Sequence, residues 1–248
     1  MCQIGMCRFR FLRLSFFFLL LSPALTYAQQ RQVSYNNLQW FQYYQSIQLS
    51  PNWSIRSDGG FRWQEGFKEK SQFLIRSNLR YDLTSDINIS VGMALFGAFL
   101  ADTLSRREFR TQQQLGYIHQ VGKLSLSHRL RIELRQFFPL NESLSNSLVH
   151  RFRYRVMLSW PLLSLSNKDP DKLLSLILGD EVLFHAGKDI VYNTFSQNRV
   201  LVGPSFQLSE SLSISLLYNH MWTVVNEPNT YHQSAILWVG VRHSIFRK

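Results

Sequence analysis

Between Leu124 and Phe137 the chain changes character at almost every step. Leu124, Leu126, His128, Leu130, Ile132 and Leu134 share one parity, while Ser125, Ser127, Arg129, Arg131, Glu133 and Arg135 share the other. A period of two marks an extended strand, because successive side chains leave opposite faces of a sheet. The same alternation returns in segments of roughly ten residues, the length of a membrane-crossing strand. It predicts strands at 38–49, 53–63, 72–82, 87–98, 107–118, 124–137, 148–163, 173–185, 195–208, 212–223 and 233–246.

The connections between these segments alternate in length. "SPN", "LTSD", "HQVGK" and "SES" are tight, with "SLSNKDPDK" the longer member of that set. "QEGFKEKS", "FLADTLSR", "FPLNESLSN", "AGKDIVYN" and "VVNEPNTYH" are longer and polar. Short turns on one rim and longer loops on the other are the signature of an outer-membrane barrel, its short turns facing the periplasm. Single-chain bacterial barrels have even strand numbers. A short extra strand at "RQVSY", turning at Asn36-Asn37, would supply the twelfth. The expected fold is therefore all-β: a transmembrane up-and-down antiparallel β-barrel of about twelve strands, within a range of ten to twelve. Trp40, Trp53, Trp63, Trp160, Trp222, Tyr81, Tyr117 and Phe246 fall near strand ends, where interfacial aromatic girdles sit.

The first 28 residues read as a segment apart from the fold. Arg8, Arg10 and Arg13 precede the apolar run "LSFFFLLL", and "SPALTYA" sets Thr26 and Ala28 at a cleavage site. This is the layout of a secretory signal peptide, its apolar run too short to span a bilayer. Residues 29–248 are then a single outer-membrane barrel domain. Both cysteines, Cys2 and Cys7, fall within the leader. The exported portion thus has no disulfide, thiolate metal site or cysteine nucleophile. Nowhere in it do eighteen apolar residues run together, which excludes a helical membrane protein.

Removing the three leader arginines brings the formal charge from +11 to +8. Such a balance suits nucleic acid, acidic lipid or an anionic solute. Export, and the absence of any nucleic-acid motif, leave the last two. Where the arginines point matters more than their number. If the apolar parity faces lipid, the other parity lines a lumen. It contributes Arg110, Gln112 and Gln114, then Arg129, Arg131, Glu133 and Arg135, then Arg151, Arg153 and Arg155. Arg56, Asp58, Arg62, Arg76, Arg80 and Asp82 come from earlier strands. Two readings of this parity stay open: a water-filled passage favouring anions, or a narrow interior filled by Arg–carboxylate ladders. The number of long side chains favours the filled interior.

In "LILGDEVLFHAGK", Glu181 and His185 point inward, and Glu181 is expected to reach Arg199 on the next strand, near Gln197 and Asn198. Asp180 would face lipid unless Gly179 opens a bulge. An ion pair holding strand register is preferred here to acid–base chemistry. A hydrolase at the lipid boundary would need a serine activated by a histidine. His128, His150 and His220 lie on the lipid parity near Ser127 and Ser159, but no GxSxG, HExxH or Gly-rich phosphate loop is present. No catalytic residue, metal site or cofactor is expected.

Several stretches together carry a family resemblance. "LQWFQYYQSIQLSPNWSIRSDGGFRW", "SHRLRIELRQF", "RFRYRVMLSWPL", the long block "GDEVLFHAGKDIVYNTFSQNRVLVGPSFQLSESLSISLLYNHMW" and "LWVGVRHSIF" resemble the DUF2490 family of exported proteins, found mostly in Bacteroidota. "HRLRIELR" and "QNR" followed by "GPSFQ" are the most specific parts. The resemblance implies an outer-membrane β-barrel in a Gram-negative cell and carries no activity, substrate or catalytic residue with it.

The function expected is a structural or narrow channel-like outer-membrane protein with an Arg-rich lumen able to pass or bind anionic solutes. A lipid-modifying hydrolase is the first alternative, and a soluble lipocalin-like ligand-binding barrel the second. Its expected partners are outer-membrane lipid and lipopolysaccharide, the barrel assembly machinery and small anionic solutes, with no nucleic acid, and the chain is expected to be monomeric.

Overall fold

A computed structural model describes residues 32–140, 145–169, 171–188, 190, 193–225 and 227–245. The signal-peptide segment 1–28 and Phe246 lie outside the described residues. The strands are β1 (Gln32–Gln48), β2 (Trp53–Gln64), β3 (Glu69–Asp82), β4 (Ile87–Leu100), β5 (Thr103–Val121), β6 (Leu124–Pro139), β7 (Ser147–Ser164), β8 (Leu173–Ala186), β9 (Phe195–Gln207), β10 (Leu212–Val224) and β11 (Thr230–Ile245). They form one closed barrel in chain order, sealed by β1 against β11.

Eleven strands lie within the expected range, but the strand proposed at "RQVSY" does not form separately. Gln32–Tyr35 are the first described residues of β1, and the chain runs straight through Asn36-Asn37. This has a topological consequence. Every consecutive pair from β1–β2 to β10–β11 is antiparallel. An even number of reversals therefore brings β11 back to the direction of β1, and the closing seam is parallel. Side-chain contacts across it climb together along both strands: Ser34 with His232, Ser234 with Asn36, and Tyr43 with His243.

Three turns on one rim repeat a single device. In "LSPNW", "LTSDI" and "LSESL" the first residue's N–H donates to the fifth residue's carbonyl at 2.9 Å: Leu49 to Trp53, Leu83 to Ile87, and Leu208 to Leu212. A hydroxyl in the second position accepts from the same fifth residue's N–H, Ser50 at 3.2 Å, Thr84 at 3.0 Å and Ser209 at 3.2 Å. The local chemistry of short Ser/Thr turns thus fixes this rim.

Two of the connections expected to be long are short. "QEGFKEKS" reduces to a turn at 65–68, with φ of 52° at Glu65, 68° at Gly66 and 70° at Phe67. "FLADTLSR" reduces to Ala101-Asp102, both at positive φ as in a type I′ hairpin. The strands simply continue past the point where apolar alternation stops.

The barrel is apolar outside and charged inside. Ile75, Val91 and Met93 are 63%, 57% and 59% exposed on the outer face, whereas Glu133 and Arg151 are 0% and 4% exposed within. Apolar clusters also sit inside. One comprises Leu38, Trp40 and Ile236 with Met221 and Trp238; the other comprises Leu74, Ala94 and Phe96. Trp40 therefore does not join an outer girdle, unlike the exposed Trp53 and Trp160.

Candidate functional site

The expected lumen residues converge on two buried carboxylates. Glu133, on β6, accepts from Arg151 Nε at 2.6 Å and from Arg153 Nη1 at 2.7 Å, both on β7, and lies 3.6 Å from Arg131 Nη1. Glu181, on β8, accepts from Arg129 Nη2 at 2.5 Å and Arg153 Nη2 at 2.8 Å, and Arg199 Nη1 of β9 lies 3.6 Å away. Arg129 thus reaches across β7 through the enclosed space. Charge-assisted bonds of this length are the strong kind, and they leave the carboxylates fully satisfied.

A third carboxylate, Glu108 on β5, was not singled out by parity although it sits two positions from Arg110. It accepts from Arg110 Nε at 2.5 Å and from Arg135 Nε at 2.6 Å. The signal for it was present: strand β5 puts Glu108, Arg110, Gln112 and Gln114 on one face. Gln114 in turn accepts from Arg131 Nη2 at 2.7 Å. A separate group on β1, β2 and β3 joins Asp58 to Arg76 Nε at 2.7 Å and Gln42 Nε2 at 2.5 Å.

Several of the inner guanidinium groups also lie on aromatic rings. Arg110 is 3.5 Å from the Phe96 ring centre, and Arg62 of β2 is 3.9 Å from that of Trp40 on β1. Cation–π contact of this kind strengthens once water is excluded. Arg155, the remaining candidate, has an Nε with no hydrogen-bond partner among the described residues.

His185 and Glu181 share the inner face but serve different partners. His185 Nε2 lies 3.0 Å from Ser196 Oγ and 3.3 Å from Arg135 Nη1. Gly179 opens no bulge: Met157 pairs with Gly179 and Val156 with Asp180 in unbroken register. Asp180 accordingly stands exposed on the outer face, where Asn198 Nδ2 donates to it at 2.6 Å. Asn198 belongs with Asp180, not with Glu181. Among the outer histidines, His128 Nδ1 is 2.8 Å from Tyr154 Oη and its ring stacks on that of His119. Ser127 alternates with His128 and points inward, so the serine and histidine named for a hydrolase lie on opposite faces.

The profile of the family described as "Protein of unknown function (DUF2490)" matches residues 37–232. The chain belongs to the DUF2490 family. The match runs from β1 into β11, so the three carboxylate clusters all lie in the family's part of the chain. No curated protein sequence matches this DUF2490 chain. Among solved structures it is similar to the siderophore receptor PirA from Pseudomonas aeruginosa, at 14% identity and a TM-score of 0.34, over 71% of this chain and 33% of the receptor. It is also similar to a mutant of the ferric enterobactin receptor PfeA from the same organism, at 12% identity and a TM-score of 0.33, over 71% of this chain and 35% of the receptor. The DUF2490 chain spans about a third of the length of either receptor.

Proposed function

We propose that this DUF2490 protein is a monomeric outer-membrane β-barrel whose basic interior is closed by its own ion pairs, so that it acts as a structural barrel or as a passage no wider than a small anion. One observation carries this reading: the partition of side chains is inverted relative to a soluble barrel. Exposed aliphatic residues cover the outside, and Glu133, Arg131, Arg151 and Arg153 are buried inside. Water would penalise the first arrangement and lipid would favour it. Strand length supports it too. The 19 residues of β5 extend about 60 Å at ~3.3 Å each, enough even when tilted by about 40° to cross an apolar band of about 25 Å.

In this setting the outer face meets lipid and lipopolysaccharide, and insertion depends on the barrel assembly machinery. The interior would select anions, since charged rings set pore selectivity. The test is threefold. Refolded protein should migrate faster in detergent gels before boiling than after. It should fractionate with the outer membrane only while the assembly machinery is active. In planar bilayers it should show no open-pore conductance, only silence or small anion-selective steps. Large unselective conductance would overturn the closed interior; recovery in the soluble fraction would overturn the membrane reading.

A further inference from the structure

Inside the barrel, pairs of arginines stand directly opposite one another on neighbouring strands. Arg110 faces Arg135 across β5–β6, and Arg131 faces Arg153 and Arg129 faces Arg155 across β6–β7. Like charges opposed on a ladder repel, so each such rung needs an anion. The first has Glu108, which holds both of its arginines. The second has Glu133, 2.7 Å from Arg153 and 3.6 Å from Arg131.

The third rung has no carboxylate to spare. Glu181 is the cross-strand partner of Arg155, yet its oxygens are engaged by Arg129, Arg153 and Arg199. Arg129 Nε and Arg155 Nε are both buried with no hydrogen-bond partner among the described residues. Besides Glu181, the groups acting most strongly on this rung are Arg76 and Arg153 at Arg129, and Arg153, Arg242 and the Tyr44 hydroxyl at Arg155. All of these are cationic or neutral. Arg129 and Arg155 keep partial exposure, which leaves them reachable by a small ion from the short-turn rim.

We propose that Arg129 and Arg155 bind a free oxyanion of the phosphate, sulfate or carboxylate class, which supplies the third rung with the bridging charge that Glu108 and Glu133 give the other two. Planar guanidinium forks match such ions in bidentate fashion. The ladders between β5, β6, β7 and β8 run past Arg129 and Arg155 without a register shift and keep acyl chains off this face, so the ligand is the free ion and not a lipid headgroup. The inference deepens the reading of a basic, membrane-enclosed interior and rests on it.

The test is calorimetric titration of the full chain, folded in non-ionic detergent, with inorganic phosphate, sulfate, acetate and soluble dihexanoyl phosphatidic acid. One equivalent of phosphate should bind, with sulfate competing. Arg155→Gln should weaken binding at least tenfold, and the charge-matched Arg107→Gln on the outer face should leave it unchanged. In phosphate-free buffer Arg155→Gln should also unfold at higher temperature than the parent, because it relieves the repulsion between Arg155 and Arg129; phosphate should stabilise the parent alone. Binding by phosphatidic acid only, no binding by folded parent at tens of millimolar, or equal binding by Arg155→Gln would overturn the proposal. A chain that folds without detergent and still binds phosphate would overturn the membrane reading and leave this site standing.

Discussion

Glu133 and Glu181 are joined through one guanidinium. Arg153 gives Nη1 to Glu133 at 2.7 Å and Nη2 to Glu181 at 2.8 Å, so three strands, β6, β7 and β8, share a single buried knot. Breaking such a pair strands a charge in a dry interior, whereas replacing all partners together avoids that penalty. Arg153→Leu is therefore expected to destabilise by about 3–5 kcal/mol, read as a lower urea midpoint in detergent or liposomes. Adding Glu133→Gln should deepen the loss, because Arg151 and Arg131 then lose their carboxylate as well. An effect below about 1 kcal/mol, the value typical of exposed pairs, would mean that water reaches the knot.

The outer face makes the opposite demand. Ile75 on β3 is 63% exposed, and its ladder partners are Gly59 and Leu95. In a bilayer, Ile75→Arg should cost about 2–4 kcal/mol near the midplane. On the surface of a soluble protein the same change would stay within about 0.5 kcal/mol. Reversible folding into liposomes measures the difference directly. A neutral result would return the soluble lipocalin-like barrel to consideration.

Parity made most of this legible before any coordinates. The alternation around Leu130 and Arg131 gives both the strand and its two faces, because a period of two leaves no other periodic structure. What parity cannot give is partnership. Which carboxylate meets Arg129 depends on strand tilt and register, and the answer, Glu181 two strands away, is not local. Trp40 misled for a related reason: an aromatic near a strand end suits a girdle, yet here its parity matches Gln42 and turns it inward onto Trp238, ring centres 5.2 Å apart. The rims were also hard to read. At this rim the alternation is lost, since β4 ends on the wholly apolar Phe96–Leu100 and β5 opens on polar Ser105–Glu108, so their ends read as a loop, and the turn at Ala101-Asp102 locates them.

That turn carries its own prediction. Ala101 has φ of 47°, a left-handed conformation that costs a residue with a Cβ about 1–2 kcal/mol. Ala101→Gly removes this cost but adds backbone entropy to the unfolded chain. The net gain should be about 0.5–1 kcal/mol, seen as a higher urea midpoint at unchanged m-value. Asp102 must be left alone, since its carboxylate accepts the Lys70 N–H at 2.8 Å. A loss of stability on Ala101→Gly would mean that the two-residue hairpin is not the native turn.

The parallel seam is the most exposed of these claims to a simple test. The two native cysteines lie at positions 2 and 7, and changing both to serine lets introduced thiols in the barrel report without interference. Ser234 Oγ donates to Asn36 Oδ1 across β1 and β11, which brings those two positions side by side. Asn36→Cys with Ser234→Cys should oxidise to an intramolecular disulfide that holds the barrel closed in a denaturing gel until reductant is added. Parallel pairing further requires register to advance equally on both strands, so Tyr43→Cys with Val241→Cys, seven residues further along each strand, should cross-link as well. An antiparallel seam would let the partners diverge along the strands, so that no more than one of the two pairs could cross-link. That result would demand an even strand number and a β1 that breaks at Asn36-Asn37 after all. Cross-linking of both native-register pairs would leave β1 and β11 running side by side in one direction, with the start of β1 on the same rim as Ala101.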